Sequence, residues 1–381
     1  MEFTLPAYGT TYRIADPGAI MTPRLLVWQE RVAGNIDTMR EMLQRVRPGA
    51  DLSLLCPHVK THKSAWVTRQ LMAAGVRRFK ATLNEVDMLL ACGVKEIFVA
   101  YPLPGAQAQW LAQRMAAHRG VQFHVQIAHA AHAAVWTALA RQYEFDVSCF
   151  LDLDVGMGRT GIAAERAFEL YQAVSPLHGL RFAGLHAYDG HNYQATLDER
   201  REITRESMER LLAAMTRFSA HRVAVPRVVV AGTPGFWPDF EYLSTRPLQA
   251  ELWLSPGTWV LFDTTCGRIM PHTFTPAALI LAQVVDQTAP ERRTLNLGHK
   301  RWAVDQGPVE EFSLPGVRAV KWSEEHTVIE VAADSGLQIG DYLAIVPRHV
   351  CSTVNLWEYF TLIGAQGEII MERCPVEARN R

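Results

Sequence analysis

Residues 57–63, with the sequence Pro-His-Val-Lys-Thr-His-Lys, hold the most reactive combination of side chains in this chain. They follow residues 52–56, a short apolar run of the kind that forms a buried strand. A lysine placed just after a strand and between two histidines is suited to hold an aldehyde as a Schiff base. Taken alone, the segment is equally well a basic loop before a helix that begins near Ser64. The elements that surround it decide between these two interpretations.

Apolar runs of strand length alternate with segments of helical pattern over much of the chain. The predicted strands are residues 52–56, 78–81, 96–100, 121–127, 148–154, 182–188, 227–231 and 249–254. The intervening segments are rich in good helix formers and are residues 65–74, 106–118, 130–142, 163–174 and 198–218. This pattern predicts an α/β fold, a (β/α)8 TIM barrel of eight strand–helix units. A doubly wound open sheet is the alternative, but it needs a glycine-rich fingerprint after its first strand, and the sequence has none there.

Polar residues and glycines cluster where the predicted strands end. In chain order they are His58, Lys60, residues 82–85, Tyr101, residues 154–159, His186, Tyr188, His191, residues 232–235 and residues 255–258. Barrel enzymes build their active sites from the loops at the carboxyl ends of the strands. The sequence therefore predicts one functional rim to which several strands contribute.

Composition and charge exclude several classes of protein. The chain has 381 residues, of which 49% are hydrophobic and 20% charged, and its formal net charge is −1. A nearly neutral chain has no overall field that would recruit nucleic acid, and no apolar run approaches the ~18–20 residues of a membrane span. The N-terminus lacks the pattern of a signal peptide. The six cysteines lie far apart without a CxxC pair, which predicts reduced thiols in the cytoplasm.

After Asp263 the pattern changes to short strands separated by glycine-containing turns. The predicted strands here are residues 278–285, 294–297, 327–331, 342–346 and 367–371. We expect a compact β domain formed by residues 1–22 and 264–381, beside a barrel formed by residues 23–263.

Six segments in this order resemble one family. They are residues 22–27, 57–63, 152–162, 184–190, 255–260 and 347–353. With them the chain is identified as a member of the D-threonine aldolase and D-serine dehydratase-like family of fold-type III enzymes that use pyridoxal 5'-phosphate (PLP). The resemblance implies a PLP-binding barrel of alanine racemase type and a C-terminal D-serine dehydratase-like domain that carries a metal motif.

The resemblance implies catalytic roles for Lys60, His62, Arg159 and Tyr188. Lys60 takes the position that holds PLP, and Arg159 takes the position that hydrogen-bonds the cofactor ring through its rigid donor fork. Tyr188 and His186 share one face of a strand because side chains alternate, and the family places Tyr188 beside the cofactor. The alternatives are a loop arginine in a salt bridge and a tyrosine of the barrel core.

Two Gly-Thr pairs are candidates for the phosphate of PLP. Gly232 with Thr233 and Gly257 with Thr258 follow adjacent predicted strands, where backbone N–H groups can approach an anion without obstruction. Phosphate sites after the seventh and eighth strands are frequent in barrels. As isolated pairs they would be ordinary turns.

His349 and Cys351 are the candidate metal ligands. They are two positions apart, so on a strand they would point to the same side. An imidazole and a thiolate suit zinc, with manganese or magnesium as alternatives, and two protein ligands leave positions open for water and substrate. The alternative is a surface histidine and an unrelated cysteine.

The metal pair favours a small-molecule substrate with a hydroxyl group, a D-β-hydroxy amino acid. Family aldolases commonly have aspartate where Cys351 stands, and family dehydratases commonly have cysteine. Residues 297–300 and 324–326 resemble the branch grouped with the D-threonine aldolases, so we rank an aldolase ahead of a D-serine or D-3-hydroxyaspartate dehydratase. A racemase and a non-catalytic PLP carrier are remoter alternatives, and the family implies a homodimer.

Overall fold

A computed structural model describes residues 1–379 of the chain, and these residues form 19 strands and ten helices. The strands are β1 (Glu2–Leu5), β2 (Thr10–Arg13), β3 (Arg24–Trp28), β4 (Arg78–Ala81), β5 (Glu96–Val99), β6 (Gln122–Ile127), β7 (Val147–Asp154), β8 (Ile162–Ala163), β9 (Leu180–Ala187), β10 (Arg227–Val230), β11 (Glu251–Leu254), β12 (Ala278–Ala289), β13 (Arg292–Leu295), β14 (Glu311–Phe312), β15 (Arg318–Trp322), β16 (Thr327–Glu330), β17 (Tyr342–Val346), β18 (Tyr359–Ile363) and β19 (Ile369–Pro375). The helices are α1 (Gln29–Val46), α2 (Ala65–Ala73), α3 (Val86–Ala91), α4 (Gly105–Ala117), α5 (Ala130–Tyr143), α6 (Ala167–Val174), α7 (Leu197–Ala220), α8 (Phe236–Ser244), α9 (Thr264–Ile269) and α10 (Val350–Val354).

The chain divides into two compact units. The α/β unit consists of Met39–Lys60 and Leu71–Gly257. The β unit consists of Met1–Thr38, Thr61–Gln70 and the residues from Thr258 onward. Among the residues that the structure describes, no helix has both the length and the apolar character needed to cross a membrane.

The α/β unit is built on a curled parallel sheet. Its strands follow the order β11-β10-β9-β7-β6-β5-β4, all neighbours are parallel, and β8 pairs with the end of β7. Helices α3 to α8 alternate with these strands along the chain. Helices that cover a parallel sheet bury both of its faces, which explains why the strands are buried almost throughout. The predicted α/β class and seven of the eight predicted barrel strands are confirmed.

The prediction of a strand over residues 52–56 is wrong. Leu52–Leu54 form a 3-10 helix, and the Asp51 carboxylate caps it by accepting a hydrogen bond of 2.8 Å from the backbone N–H of Ser53. An aspartate that bonds the backbone two residues on stabilises a turn in place of a strand. A run of apolar residues this short does not distinguish the two conformations.

The chain extends immediately after this turn. Leu55 forms a single parallel bridge with Leu254 of β11, and His58 forms another with Lys80 of β4. The backbone N–H of Cys56 donates to the carbonyl of Leu254 at 2.7 Å. The segment that leads into Lys60 is therefore fixed to both outer strands of the sheet.

The inner face of the sheet is layered along its strands. Near the amino ends, the Glu96 carboxylate accepts hydrogen bonds from Arg78 at 2.8 Å and from His124 at 3.1 Å. The next layer is an apolar cluster of Cys56, Phe98, Phe150, Ala183, Val229 and Trp253. Because alternate residues of a strand share a face, Lys80 follows Arg78 on the inner face, toward the carboxyl end of β4. The polar groups at that end therefore lie above a packed apolar layer.

The β unit contains a mixed sheet in the order β15-β16-β13-β12-β3-β18-β19, with β17 paired to β12 and β14 to β17. The strands predicted at residues 278–285, 294–297, 327–331, 342–346 and 367–371 correspond to β12, β13, β16, β17 and β19, whereas β3, β14, β15 and β18 were not predicted. The hairpin of β1 and β2 packs its apolar side chains into one core with β3, β12 and β17.

Candidate functional site

Lys60 lies at the carboxyl end of the parallel sheet, two residues after the bridge between His58 and β4. Its side chain is half-buried, and its backbone N–H donates to Nδ1 of His58 at 3.3 Å. Burial, and then the positive charges of Lys60 and Lys80, lower the pKa of His58 well below its ordinary value. His58 is therefore a neutral imidazole beside Lys60.

Arg159 and Tyr188 meet at the same end of the sheet. The loop after β7 carries Arg159, and the Asp154 carboxylate shapes it by accepting hydrogen bonds of 3.0 Å from the N–H groups of Gly156 and Gly158. The guanidinium carbon of Arg159 lies 5.1 Å from the centroid of the Tyr188 ring, within the range of a cation–π interaction. The structure thus brings these two predicted residues together.

Two glycines make room for the Tyr188 ring. A Cβ atom at Gly190 would overlap the ring, and a Cβ atom at Gly232 would lie only 3.2 Å from its Cε2 atom. The ring therefore lies in a slot that exists because both positions lack a side chain.

His186 is the centre of a buried hydrogen-bonded chain. Its Nδ1 atom lies 2.6 Å from Oδ1 of Asp152, whose other oxygen accepts a hydrogen bond from the Gln126 amide. Its Nε2 atom lies 2.8 Å from Nζ of Lys80. Burial, and then the charge of Lys80, lower the pKa of His186 to about 4, so the imidazole is neutral at neutral pH.

Lys80, Asp152 and Gln126 were absent from the residues that the sequence predicted for the site. Lys80 and Gln126 each follow a polar inner-face residue of the same strand by two positions, Arg78 and His124, and Asp152 follows Phe150 of the apolar cluster. The signal that could have found them is alternation, because residues two positions apart on a strand share one face. Such residues need partners, and here they supply one another.

The loops after β10 and β11 contact each other through residues that were predicted to bind the phosphate of PLP. The N–H of Gly257 donates to Oγ1 of Thr233 at 3.1 Å. The N–H of Gly232 donates to Oδ1 of Asp189 at 3.0 Å, so this predicted phosphate donor already has an acceptor within the protein. The cofactor-binding roles of Gly232, Thr233 and Gly257 stay predictions.

Asp189 belongs to a buried pair of carboxyl groups with Asp239. Asp189 also accepts a hydrogen bond from the Asn192 amide at 3.1 Å, and Asp239 accepts one from the Thr204 hydroxyl at 2.7 Å. Burial raises the pKa of Asp189, and burial together with the charge of Asp189 raises the pKa of Asp239 well above its ordinary value. The pair therefore retains a proton at pH values where exposed carboxyl groups are ionised.

In the β unit, His349 and Cys351 interact with each other, but not on a strand as predicted. His349 is the N-cap residue of α10, and Cys351 lies in the first turn of that helix. The Asp263 carboxylate accepts a hydrogen bond from the N–H of Val350 at 3.0 Å and so fixes the start of the helix. Burial raises the pKa of Cys351, but the hydrogen bond and charge of His349 outweigh it and lower the pKa.

Four further side chains of the β unit contact this pair, and one of them is Ser352, whose Oγ atom lies 3.1 Å from Nδ1 of His349. Nδ1 of His349 lies 2.6 Å from Oδ2 of Asp305, and Sγ of Cys351 lies 3.1 Å from Oγ1 of Thr61 and 3.5 Å from Oγ1 of Thr258. An imidazole held at Nδ1 by a carboxylate presents Nε2 as its coordinating atom. No group of three or more His, Cys, Asp or Glu side chains suited to a metal occurs among residues 1–379, so the pair offers two protein ligands.

His62 lies in the β unit and is buried. Its Nδ1 atom accepts a hydrogen bond of 3.2 Å from the N–H of Ser64, and its buried Nε2 atom has no partner among the residues that the structure describes. Burial lowers the pKa of His62 to about 3. Its catalytic role stays a prediction.

Two features together define a class of two-domain enzyme. One is the curled parallel sheet with a lysine, an arginine and a tyrosine at its carboxyl end, and the other is the imidazole–thiol pair. Residues 29–247 match the family described as "Alanine racemase, N-terminal domain", and residues 277–363 match the one described as "Putative serine dehydratase domain". The first match covers more than half of the chain, so the chain belongs to this alanine racemase-like family. The family predicted from the sequence is confirmed.

Three relatives extend over almost the whole chain. The D-threonine aldolase of Arthrobacter sp is 26% identical over 91% of this chain and 90% of its own length. The D-threo-3-hydroxyaspartate dehydratase of Delftia sp. (strain HT23) is 24% identical over 91% of this chain and 95% of its own. The crystal structure of D-threonine aldolase from Filomicrobium marinum superimposes with a TM-score of 0.85 at 24% identity, covering 94% of this chain and 96% of that one. The homologues therefore include both aldolases and dehydratases.

Proposed function

We propose that this protein is a PLP- and divalent-metal-dependent lyase acting on D-β-hydroxy amino acids. Its reaction is the retro-aldol cleavage of a D-threonine-type substrate to glycine and an aldehyde. The observation that carries this proposal is the His349–Cys351 pair, with its imidazole held by Asp305. A metal-binding pair of this kind suits a substrate with a hydroxyl group, and the chain shares its fold and family with aldolases of such substrates.

The residues of the α/β unit fit PLP. Lys60 supplies an amine, Arg159 and Tyr188 form one wall, and the slot lined by Gly190 and Gly232 fixes the tyrosine ring. Burial, and then the positive charges of Lys60 and Arg159, lower the pKa of Lys80 to about 7, and these two cations would attract a phosphate and a carboxylate. When bound, PLP supplies an electron sink for the charge that develops at the substrate Cα atom.

The proposed roles of the protein groups follow from this arrangement. Lys60 would hold the cofactor, and Arg159 would donate hydrogen bonds to its ring. Tyr188 would orient the ring, with neutral His186 behind it. The loops with Thr233 and Gly257 would hold the phosphate, and the proposed cofactor-binding role of Thr258 rests on its sequence motif alone. His62, two residues after Lys60 in the sequence, is the remaining member of the proposed catalytic set.

His349 and Cys351 fit a divalent metal in the β unit. A nitrogen and a sulfur donor favour Zn²⁺. Mn²⁺ and Mg²⁺ are the alternatives and are less favoured, because they prefer oxygen ligands. Two protein ligands leave coordination positions for water and substrate. A bound metal would supply Lewis acidity toward a hydroxyl oxygen.

The second candidate is a dehydratase that forms a 2-oxo acid and ammonia. One observation favours it, because cysteine at position 351 is the residue common among family dehydratases. The relatives do not separate the two reactions, since the aldolase of Arthrobacter sp is 26% identical and the dehydratase of Delftia sp. (strain HT23) 24% identical. A racemase is not favoured because it would use a second base where this chain has the metal pair.

The proposal also includes the finer architecture. The curled sheet would close into a full (β/α)8 barrel through the bridges of Leu55 and His58, with domain boundaries at residues 23 and 263. The active form would be a homodimer. The six cysteines are unpaired, as expected of a cytoplasmic protein.

The test is an assay of both product sets from one reaction. The protein is loaded with PLP, supplemented with Zn²⁺ or Mn²⁺ and incubated with D-threonine, and L-threonine serves as the stereochemical control. We expect glycine and acetaldehyde in equal amounts. 2-Oxobutyrate with ammonia would instead establish the dehydratase and overturn the ranking.

A lysine variant tests the cofactor assignment independently of the reaction. We expect borohydride to trap PLP covalently on the peptide that contains Lys60. Lys60→Ala should lose this label, whereas Lys95→Ala, which alters an exposed lysine of the same unit, should keep it. Trapping on a different peptide would contradict the assignment of Lys60.

A further inference from the structure

Lys80 is a buried lysine to which the proposed reaction gives no role. It lies on β4 with only 4% of its surface exposed, and its Nζ atom is 2.8 Å from Nε2 of His186. The Nζ atom also lies 5.0 Å from the centroid of the Tyr188 ring and 5.9 Å from that of Phe98. A lysine is rarely buried to this degree without a specific partner.

Lys80 differs from the other cation on the inner face of the same strand. Arg78, two positions earlier, pairs with the carboxylates of Glu96 at 2.8 Å and Glu251 at 3.3 Å, which is a structural ion-pair arrangement. The nearest polar partner of Lys80 is the imidazole of His186, whereas the partners of Arg78 are carboxylates. Packing alone therefore does not explain why a lysine stands at this position.

The proton positions in the chain from Asp152 to Lys80 follow from hydrogen-bonding capacity. Asp152 accepts a hydrogen bond from the Gln126 amide, and an ionised carboxylate only accepts, so Nδ1 of His186 is the donor in the 2.6 Å contact with Asp152. The proton of a neutral imidazole is then on Nδ1, and Nε2 carries a lone pair. Lys80 always has an N–H to donate, so it matches that lone pair in either protonation state.

We propose that Lys80 is a positioning residue of the proposed cofactor site, which acts through His186 by holding the imidazole in the Nδ1-protonated form and in one orientation beside Tyr188. The imidazole and Tyr188 rings are parallel to within 3° at a centroid distance of 6.5 Å, so the orientation of one wall of the site depends on this contact. This inference rests on the proposed function, because it assigns that wall to the PLP ring.

The burial of the Lys80 amine favours its neutral form. Burial lowers the pKa of Lys80 to about 7. The groups that interact electrostatically with it are Cys56, His58, Lys60, Asp152, Arg159 and His186. Loss of the Lys80 amine would leave Nε2 of His186 buried without a donor, and the imidazole could then change tautomer or rotate.

The first experiment observes His186 directly in the protein without cofactor. Histidine nitrogens are labelled with ¹⁵N, and the His186 signals are assigned by their loss in His186→Gln. The wild type should show the Nδ1-protonated tautomer, and Lys80→Met should shift the signals toward the other tautomer or an average of both. Lys80→Arg keeps a donor and should restore the wild-type pattern. Arg78→Met, the matched control that removes an inner-face cation, should lower stability and leave the tautomer unchanged.

The second experiment measures PLP affinity in a double-mutant cycle of Lys80→Met and His186→Gln. We expect Lys80→Met to weaken PLP binding about tenfold, as befits loss of one buried hydrogen bond to a neutral partner. The double variant should bind no more weakly than His186→Gln, because both changes act through one group. Additive losses, or His186 signals that Lys80→Met does not alter, would overturn the proposal. Failure of the wild type to bind PLP would refute the proposed function and the link to the cofactor, while the nitrogen signals would still decide the contact between Lys80 and His186.

Discussion

The buried carboxyl pair makes the stability of the α/β unit depend on pH in a way that one substitution can reveal. Asp189 accepts hydrogen bonds from the N–H of Gly232 and the amide of Asn192, and Asp239 accepts one from the hydroxyl of Thr204. Asp239→Asn keeps the size of the side chain and its capacity for hydrogen bonds. It removes only the group that titrates.

The sign and size of the effect follow from proton linkage. The pKa of Asp239 is raised well above 3.8, first by burial and then by the charge of Asp189, so the folded protein binds this proton more tightly than the unfolded chain. The contribution of Asp239 to the free energy of unfolding is therefore fully present below the unfolded pKa and is lost as the pH rises toward the folded pKa. One additional bound proton gives a slope of about 1.4 kcal/mol per pH unit. We expect Asp239→Asn to gain about 1.4 kcal/mol of stability relative to the wild type between roughly pH 5 and pH 6.

Urea unfolding followed by circular dichroism at closely spaced pH values measures this difference. Asp198→Asn is the matched control, because the Asp198 side chain is 92% exposed and its replacement should leave the slope unchanged. Parallel pH profiles for wild type and Asp239→Asn would refute the reasoning. That result would mean that Asp239 is ionised in the folded protein despite its burial.

Three further predictions concern the cofactor slot, the lower layer of the sheet and the metal pair. Gly190→Ala should weaken PLP binding about tenfold or more in a titration, because the new Cβ atom would overlap the Tyr188 ring. The control is Gly34→Ala in α1, where the new Cβ atom would meet open space. This change should raise stability by about 0.5–1 kcal/mol in thermal unfolding. Burial raises the pKa of Glu96, but hydrogen bonds with His124 and Arg78 outweigh it and lower the pKa to about 2. The stabilisation by Glu96 is thus present above pH 4.5 and lost as the pH falls toward 2. Glu96→Gln should therefore cost about 1–2 kcal/mol at neutral pH after solvent screening and flatten the acid side of the stability profile; an unchanged profile would contradict this. Cys351→Asp should lower zinc affinity about tenfold or more in a competition assay while retaining manganese, because it replaces a sulfur donor with oxygen, and equal zinc affinity would argue against Cys351 as a ligand.

The strands of the parallel sheet could be predicted because both faces are covered, so most of each strand is buried and rich in apolar residues between polar loops. The exception is Leu52–Leu54, where a local cap by Asp51 overrides an apolar run that looks like a strand. In the β unit, β3, β14, β15 and β18 were not predicted. β14 is only two residues long, and β18 lacks the polar and apolar alternation of a half-buried strand.

The site was predictable to the extent that its residues lie in compact motifs. Arg159 and Tyr188 follow the ends of β7 and β9, and Lys60 lies in a compact motif although no strand directly precedes it, so all three were candidates from the sequence. Asp305 was not, because it contacts His349 from 44 positions away in the chain, a distance that no local spacing encodes. The pairing of Cys351 with His349 was expected from their separation, although a helix start brings their side chains together instead of a strand.

Burial has one electrostatic consequence at the carboxyl end of the parallel sheet. It lowers the pKa values of His58, His186 and Lys80 and raises those of Asp189 and Asp239, so each group is driven toward its neutral form.

Arg159 is exposed, and its guanidinium group is a positively charged hydrogen-bond donor. The groups beneath it can therefore act as oriented hydrogen-bond donors and acceptors, while Arg159 and half-buried Lys60 present positive charge at the rim. The buried neutral groups can position the ring of a ligand, while Arg159 and Lys60 at the rim can attract its anionic groups. This separation of roles is the physical reason to look for an anionic, aromatic cofactor at this end of the sheet.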